Sequence, residues 1–229
     1  MGYTKQKIID LLEKGLKDMS TLYRDKIINY KEIEGGYPCY DVIAEYLLEK
    51  HVETLMLSIP ETNRTIKYRQ LGHFVDNEKK EKILAHGLQK TMFDDIGEIL
   101  DYEIPLTKEK VEKDEEDNHV EEDNHVGEID MLAYNSDKKQ YSIIELKLKW
   151  NNNDSLLHAI LQICTYCKQV NREKLIAEYE KPSDKDIQKV VFIFKDSRQY
   201  NELKSDYMRK LAKILDVKIL VLEAKLVEI

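Results

Sequence analysis

The sequence predicts an α/β protein with a mixed β-sheet flanked by helices, and three observations support this class. Apolar, β-branched segments at 126–134 and 141–149 enclose the polar run 135–139, which predicts a β-hairpin. The next segment, 156–180, contains no proline or glycine and predicts a helix. The chain then shows a strand, helix and strand pattern, over residues 189–195, 197–215 and 218–225.

The part of the chain before the hairpin predicts helices. Residues 1–75 are interpreted as a helical extension, whose first helix carries an apolar face and whose second lies near 39–56. Residues 78–99 predict a further helix, with Ile83, Leu84, Leu88, Met92 and Ile96 on its apolar side, and 102–106 a strand. We therefore expect two parts, an extension over 1–75 and a main domain over 76–229 with an acidic loop at 107–126.

Composition limits the classes of protein to which the chain can belong. The 229 residues are 42% hydrophobic, enough for a proper core, and the sequence has no signal-peptide run and no transmembrane span. Three cysteines show no disulfide pattern, so a cytoplasmic protein without membrane attachment is expected. Cys164 and Cys167 form a CxxC within the helical segment, and we interpret them as core cysteines rather than as metal ligands.

The formal charge of −8 comes from one segment. Residues 114–128 hold eight acidic residues and no lysine or arginine, so the rest of the chain is formally neutral. The segment repeats Glu-Glu-Asp-Asn-His-Val at 115–120 and 121–126, which indicates a local duplication with solvated charges. The negative charge therefore does not exclude a nucleic-acid partner.

The predicted hairpin carries isolated charges among apolar residues. Because side chains alternate along a strand, Glu145 and Lys147 share one face, and a hairpin can lay the face of Asp130 beside it. That arrangement would gather two carboxylates and one ammonium, and carboxylate oxygens suit Mg²⁺ or Mn²⁺. Strands this apolar are expected to be buried, and buried charges require a partner or a metal.

This pattern resembles a known signature. Ile129-Asp130, fourteen further residues and then Glu145-Leu146-Lys147 are similar to the motif of the PD-(D/E)xK nuclease superfamily, although no proline precedes Asp130. In the following helical segment, Gln162-x-x-x-Tyr166 resembles the QxxxY motif of the RecB-like branch. The resemblance implies a restriction-endonuclease-like core over roughly residues 78–225. In that branch the Gln and Tyr lie near the active site and contact the nucleic-acid strand.

The resemblance also implies a ligand from the helix predicted upstream. His86 is the family-like candidate, and Glu98 or Glu81 would serve if a carboxylate replaces it. The implied metal ligands are Asp130, Glu145, the backbone carbonyl of Leu146 and this further group.

The implied function is Mg²⁺- or Mn²⁺-dependent hydrolysis of phosphodiester bonds in nucleic acid, expected to be DNA. Asp130, Glu145 and Lys147 would be catalytic, and Gln162 and Tyr166 would bind the substrate. The alternative is a catalytically inactive module of the same fold that binds DNA or protein. The sequence has no Walker-type phosphate-binding motif, so any ATPase or helicase activity would belong to a separate partner.

Overall fold

The computed structural model describes residues 2–51, 59, 64–66, 80–107 and 125–223. Five expectations from the sequence lie outside these residues: the end of the helix predicted near 39–56, the domain boundary at 75/76, the start of the helix predicted over 78–99, nearly all of the acidic loop with its duplication, and the end of the last predicted strand. No helix in the described ranges is both long enough and apolar enough to cross a bilayer.

Helices and strands follow one another in mixed order along the described chain. The α-helices are α1 (Lys5–Gly15), α2 (Cys39–Lys50), α3 (Lys80–Leu88), α4 (Leu156–Gln169), α5 (Arg172–Tyr179), α6 (Arg198–Glu202) and α7 (Asp206–Ile214). The strands are β1 (Thr65–Ile66), β2 (Met92–Phe93), β3 (Gly97–Thr107), β4 (His125–Asn135), β5 (Gln140–Leu146), β6 (Gln188–Phe194) and β7 (Val217–Leu222). Two short 3₁₀ helices, Leu22–Arg24 and Lys26–Asn29, lie between α1 and α2.

The predicted mixed sheet is confirmed for the described residues. Its order is β1-β3-β4-β5-β6-β7, with β2 paired to β3 off this path. Strands β3 and β4 are antiparallel, whereas β6 and β7 are parallel. The predicted hairpin is confirmed as well, because β4 and β5 are neighbours joined by the turn at 136–139. So short a connection fits an antiparallel pair only.

Contacts divide the chain into two compact units. Unit 1 comprises Met1–Pro60, Ile144–Cys167 and Gln188–Ile229, and unit 2 comprises Glu61–Ile143 and Lys168–Ile187. Each unit has an apolar core of its own. Fully buried side chains in unit 1 include Ile8, Leu12, Ile43, Leu47, Leu156 and Phe192, and those in unit 2 include Ile96, Ile99, Ile104, Ile129, Met131 and Leu132.

The helix predicted over 78–99 extends beyond the C-terminal end of the observed helix. Helix α3 ends at Leu88, and residues from Met92 onward form the antiparallel pair of β2 with β3. The backbone turns sharply here, since Lys90 has a φ of 64° and Gly97 a φ of 83°. A Cβ on Gly97 would lie 2.1 Å from the carbonyl oxygen of Tyr134, so only glycine fits.

The long helix predicted after the hairpin is in fact two helices. Helix α4 ends at Gln169, and α5 begins after Asn171, whose side chain accepts a hydrogen bond from the Lys174 N–H at 3.0 Å. Backbone bonds from Arg64 to Gln169 and from Asn171 to Arg64 occupy the groups that a continuous helix would pair internally. Pairing with a distant segment, which periodicity does not report, therefore interrupts the helix.

Two further predicted boundaries differ from those observed. The helix predicted over 197–215 is divided into α6 and α7, because the hydroxyl of Ser205 caps α7 by accepting from the Met208 N–H. The strand predicted over 141–149 ends at Leu146, after which the Lys147 N–H makes a last bond of 2.9 Å to the Phe192 carbonyl. The chain then turns at 149–150 toward α4.

Candidate functional site

A buried ion pair lies where β5 ends. The Lys147 Nζ is 2.7 Å from the Glu145 Oε1, and their side chains are only 6% and 2% exposed. The alternation of a strand places residues two apart on the same face, so the sequence alone puts these groups together. Charges this far from water are stabilised only by close partners, which indicates an organised site rather than a solvated surface pair.

Asp154 is a second carboxylate partner of the same lysine. Its Oδ2 lies 3.3 Å from Lys147 Nζ and accepts a hydrogen bond of 2.9 Å from the Asn151 side-chain amide. Burial acts to raise the pKa of Asp154, but the Lys147 ammonium and the Asn151 amide outweigh burial, so the pKa is lowered. Lys147 is therefore held between two carboxylates of unit 1.

The lowered pKa of Asp154 predicts a pH-dependent contribution to stability. A carboxyl whose pKa is lower in the folded state stabilises the protein above its unfolded pKa, about 3.9, and this contribution is lost as pH falls through the folded pKa. Asp154→Asn should therefore reduce the free energy of unfolding by about 1 kcal/mol at pH 5–7. The difference from wild type should shrink below about pH 4, as measured by urea denaturation from pH 3 to 7. A difference that stays constant over this range would contradict the assignment.

The helix after this loop begins at Ser155. The Ser155 Oγ accepts from the His158 N–H at 3.0 Å and donates to the Ile28 carbonyl at 2.7 Å. The Ser155 N–H is bound by the Asn29 Oδ1 at 2.7 Å. The start of α4 was predicted among residues 151–155, and the structure confirms it. The bonds to residues 28 and 29 show that the N-terminal segment helps to fix this helix.

Polar side chains follow one face of α4 one turn apart. The His158 Nε2 lies 2.8 Å from the Gln162 Oε1, and the Gln162 Nε2 donates to the Tyr166 Oη at 3.4 Å. The Asn29 Nδ2 lies 3.2 Å from the His158 Nδ1. The Asn29 Oδ1 already accepts from Ser155, so the Asn29 side-chain N–H is the group that can donate to Nδ1, and this arrangement places the His158 proton on Nε2.

His158 is neutral at physiological pH. Burial lowers its pKa to about 4, and the nearby Lys147 charge acts in the same direction. A neutral ring that donates from Nε2 fixes the Gln162 amide, so that its N–H groups face Tyr166. His158 was not singled out in the sequence, although its i, i+4 spacing to Gln162 is the signal that could have identified it.

Tyr166 is buried rather than presented at the surface. It is 5% exposed, and its ring meets that of Tyr23 edge to face at 5.9 Å between centroids. Burial, together with Tyr23 and Glu145, raises its pKa well above the ordinary value for tyrosine. The phenol therefore stays protonated, and its burial favours a supporting role over direct contact with a strand.

Asp130 belongs to unit 2, where it lines a pocket of about 130 Å³. Helix α3 contributes Glu81, Lys82 and Ala85, β3 contributes Glu103, and β4 contributes Glu128 and Asp130. The pairing of β3 with β4 places Glu103 opposite Asp130, midway between the Tyr102–Met131 and Ile104–Ile129 pairs. Like charges directly opposite in a sheet repel each other, so a positive charge among these carboxylates is stabilising.

Lys82 supplies one positive charge in this pocket. Its Nζ lies 2.6 Å from the Glu103 Oε1 and 3.8 Å from the Glu128 Oε2. Glu103 itself has a φ of 49°, a left-handed conformation that is unfavourable for a residue with a Cβ. Backbone strain of this kind is concentrated at functional sites, which supports a functional role for this pocket. Glu103 gave no signal in the sequence, because only the strand register brings it to Asp130.

The candidates for the further ligand lie in different places. Glu81 lines the pocket with Asp130, whereas His86 is exposed and its ring packs edge to face on Tyr102, 5.3 Å between centroids. Glu98 was predicted on a helix, but it lies on β3 opposite Tyr134. The preference for His86 over a carboxylate stays a prediction, and Glu81 is the candidate that shares a pocket with Asp130.

The donor atoms suit the metal that the resemblance implies. The Asp130 carboxylate of unit 2, and the Glu145 carboxylate and Leu146 carbonyl of unit 1, are the hard oxygen ligands that Mg²⁺ and Mn²⁺ prefer, and the further ligand would be His86 or a carboxylate in its place. Within the described ranges, however, no three His, Cys, Asp or Glu side chains are grouped as a ready metal site. Asp130 and Glu145 belong to different units, and their joint action stays a prediction.

All three cysteines are free thiols. Cys39 and Cys164 are buried, and burial raises the pKa of each to about 12. The interpretation of the CxxC cysteines as core residues is therefore confirmed for Cys164, whereas Cys167 is only half-buried.

Comparison of the chain with protein-family models, curated proteins and solved structures gave no match. The functional argument therefore depends on the residues and their geometry.

Proposed function

We propose that the chain is a metal-dependent nuclease that hydrolyses phosphodiester bonds, with DNA as its substrate. The observation that carries the proposal is the buried Glu145–Lys147 pair, because an ammonium and a carboxylate removed from water form a preorganised electrostatic site. The Asp130 pocket of unit 2 also supports the proposal, because it is rich in carboxylates that offer oxygen ligands to a cation.

Each residue has a definite role in this proposal. Asp130 and Glu145 bind Mg²⁺, with the Leu146 carbonyl as a further ligand. The metal would polarise the scissile phosphate and acidify a bound water. Lys147 stabilises the charge that develops on the phosphoryl oxygens, and Asp154 holds the lysine in place. Neutral His158 fixes Gln162, which positions the strand.

Cleavage assays test this proposal. Labelled single-stranded, duplex and branched DNA, and RNA, are incubated with the protein in Mg²⁺, Mn²⁺ or EDTA. We expect cleavage with either metal and none in EDTA. Glu145→Gln keeps the shape of the side chain but removes the charge, so it should reduce the rate roughly 10³-fold, since a metal-bound charge contributes several kcal/mol.

The matched control is Glu173→Gln, which removes an exposed carboxylate on α5. This variant should cleave at the wild-type rate. Cleavage that persists in EDTA, or an unchanged rate in Glu145→Gln, would refute the metal-dependent assignment.

One observation favours a second candidate, a noncatalytic nucleic-acid-binding module. The Lys82 ammonium already balances part of the negative charge of the acidic pocket. In a protein that binds no metal there, such an ammonium would take the place of the metal ion. This candidate predicts binding of labelled DNA that is no stronger in Mg²⁺ than in EDTA, and no cleavage in either. Stronger binding in Mg²⁺ than in EDTA would count against it.

A further inference from the structure

An exposed tryptophan lies three residues after Lys147. Trp150 is 72% exposed, although tryptophan is usually among the most buried residue types. Trp150 lies in the loop from Lys147 to Asp154, and the Asp154 carboxylate at the end of this loop contacts the Lys147 ammonium. Three residues span at most about 11 Å, which keeps Trp150 close to Lys147.

Buried side chains hold this loop in one conformation. Gln199 is fully buried, and its Nε2 donates to the carbonyls of Asn151 at 2.9 Å and Asp154 at 2.6 Å. Arg198 Nη1 donates to the carbonyls of Asn152 at 2.9 Å and Asn153 at 3.1 Å. Four backbone carbonyls are thus fixed by two neighbouring residues of α6.

Arg198 is itself anchored. Its Nε is 2.6 Å from the Glu202 Oε1, and its Nη2 donates to the Asn29 carbonyl at 3.0 Å. Glu202 is 3% exposed, and its Oε2 accepts from the Leu156 N–H at the start of α4. The loop is therefore tied to three elements of unit 1, while Trp150 is 72% exposed.

We propose that Trp150 is a stacking platform for an unpaired nucleobase of the substrate, which holds the strand next to Lys147. This inference rests on the proposed function and adds to it a preference for single-stranded nucleic acid. A rigid loop loses little conformational entropy on binding, and an indole face stacks on any base. Lys149 beside it, and the exposed amides of Asn152 and Asn153, supply the groups that contact phosphates and base edges.

Intrinsic fluorescence tests the proposal directly, because Trp150 is the only tryptophan in the chain. The full-length protein in EDTA is titrated with a thymidine 12-mer, with an abasic 12-mer of equal charge, and with a 12-base-pair duplex. We expect quenching by the thymidine strand and little change with the abasic strand or the duplex. Quenching by the abasic strand equal to that by thymidine would show that phosphates, not bases, cause the signal and would overturn stacking.

Affinity gives an independent measurement. Binding of a labelled thymidine 12-mer, followed by fluorescence anisotropy, should weaken roughly 5- to 150-fold in Trp150→Ala, since stacking on one aromatic contributes that range. Trp150→Phe should retain most of the affinity. The control Tyr37→Ala removes another exposed aromatic of unit 1, 66% exposed, and should bind as wild type does.

The outcomes separate this inference from the proposed function. If Trp150→Ala binds and cleaves as wild type does, the stacking role is wrong while the nuclease proposal stands. If quenching and the affinity loss are found without cleavage in any metal, stacking stands and the catalytic proposal fails. If no oligonucleotide binds to the wild-type protein in EDTA and none is cleaved in Mg²⁺ or Mn²⁺, both proposals fail.

Discussion

Lys147→Met is expected to lower the free energy of unfolding by about 3–5 kcal/mol, because it leaves Glu145 as a buried carboxylate without its ammonium. Methionine keeps the length of the side chain, so lost packing contributes little. The midpoint of urea denaturation at pH 7 measures the effect. The same variant should show no cleavage, since no other group occupies the position of the ammonium.

The chain offers a matched control for this effect. Lys195 and Glu223 form an ion pair of 2.9 Å, with side chains 51% and 67% exposed. Lys195→Met should therefore leave the urea midpoint close to that of the wild type. Adding Glu145→Leu to Lys147→Met should recover part of the loss, because removing both charges leaves neither uncompensated. If Lys147→Met and Lys195→Met lowered stability equally, the buried ion pair would contribute no more than the exposed one.

Asp130→Asn is expected to reduce cleavage roughly 10³-fold while changing stability by no more than about 1 kcal/mol. A neutral amide is a poor ligand for Mg²⁺, and loss of one metal ligand removes several kcal/mol of transition-state stabilisation. Stability is preserved because Asp130 shares its pocket with three other carboxylates and one lysine. Removing one of these like charges relieves repulsion.

Two measurements on Asp130→Asn distinguish a catalytic role from a structural one. The first is the rate of cleavage in Mg²⁺, and the second is the urea midpoint. Asp137→Asn, which changes an exposed aspartate in the turn after β4, is the control for both. Wild-type cleavage by Asp130→Asn would refute the nuclease assignment. A loss of several kcal/mol with no change in metal response would identify Asp130 as part of a structural ion-pair network.

Strands in the second half of the chain were predicted more accurately than helices, whereas β3 begins five residues before its predicted start and β1 and β2 lie in segments predicted as helical. The strands β4, β5 and β6, and the start of β7, were found within one to three residues of their predicted limits, because apolar runs bounded by polar turns depend on local sequence. Helices were predicted too long in three places, at Leu88, Gln169 and Glu202. At each of these places the end depends on a cap, a left-handed residue or a distant backbone partner.

In the candidate site, too, the contacts that depend on local sequence were predicted and those that depend on distant residues were not. The Glu145–Lys147 pair followed from strand alternation, which needs only the positions of two residues two apart. The partners Asp154, His158 and Asn29 did not follow, because a loop and a contact with the N-terminal segment bring them together. The neighbours of Asp130 likewise depend on the register of β3 against β4, which periodicity does not determine.

The sequence by itself determined the α/β class, the hairpin and the buried glutamate–lysine pair, because these depend on the period of a strand and on polar turns. Only the tertiary structure decided that Lys147 also binds Asp154, that Tyr166 is buried against Tyr23, and that the loop from Lys147 to Asp154 exposes Trp150. These features arise from contacts between residues up to about 170 positions apart, such as the bond from Arg198 to Asn29. No local pattern records such contacts, since they exist only after the apolar segments have packed together.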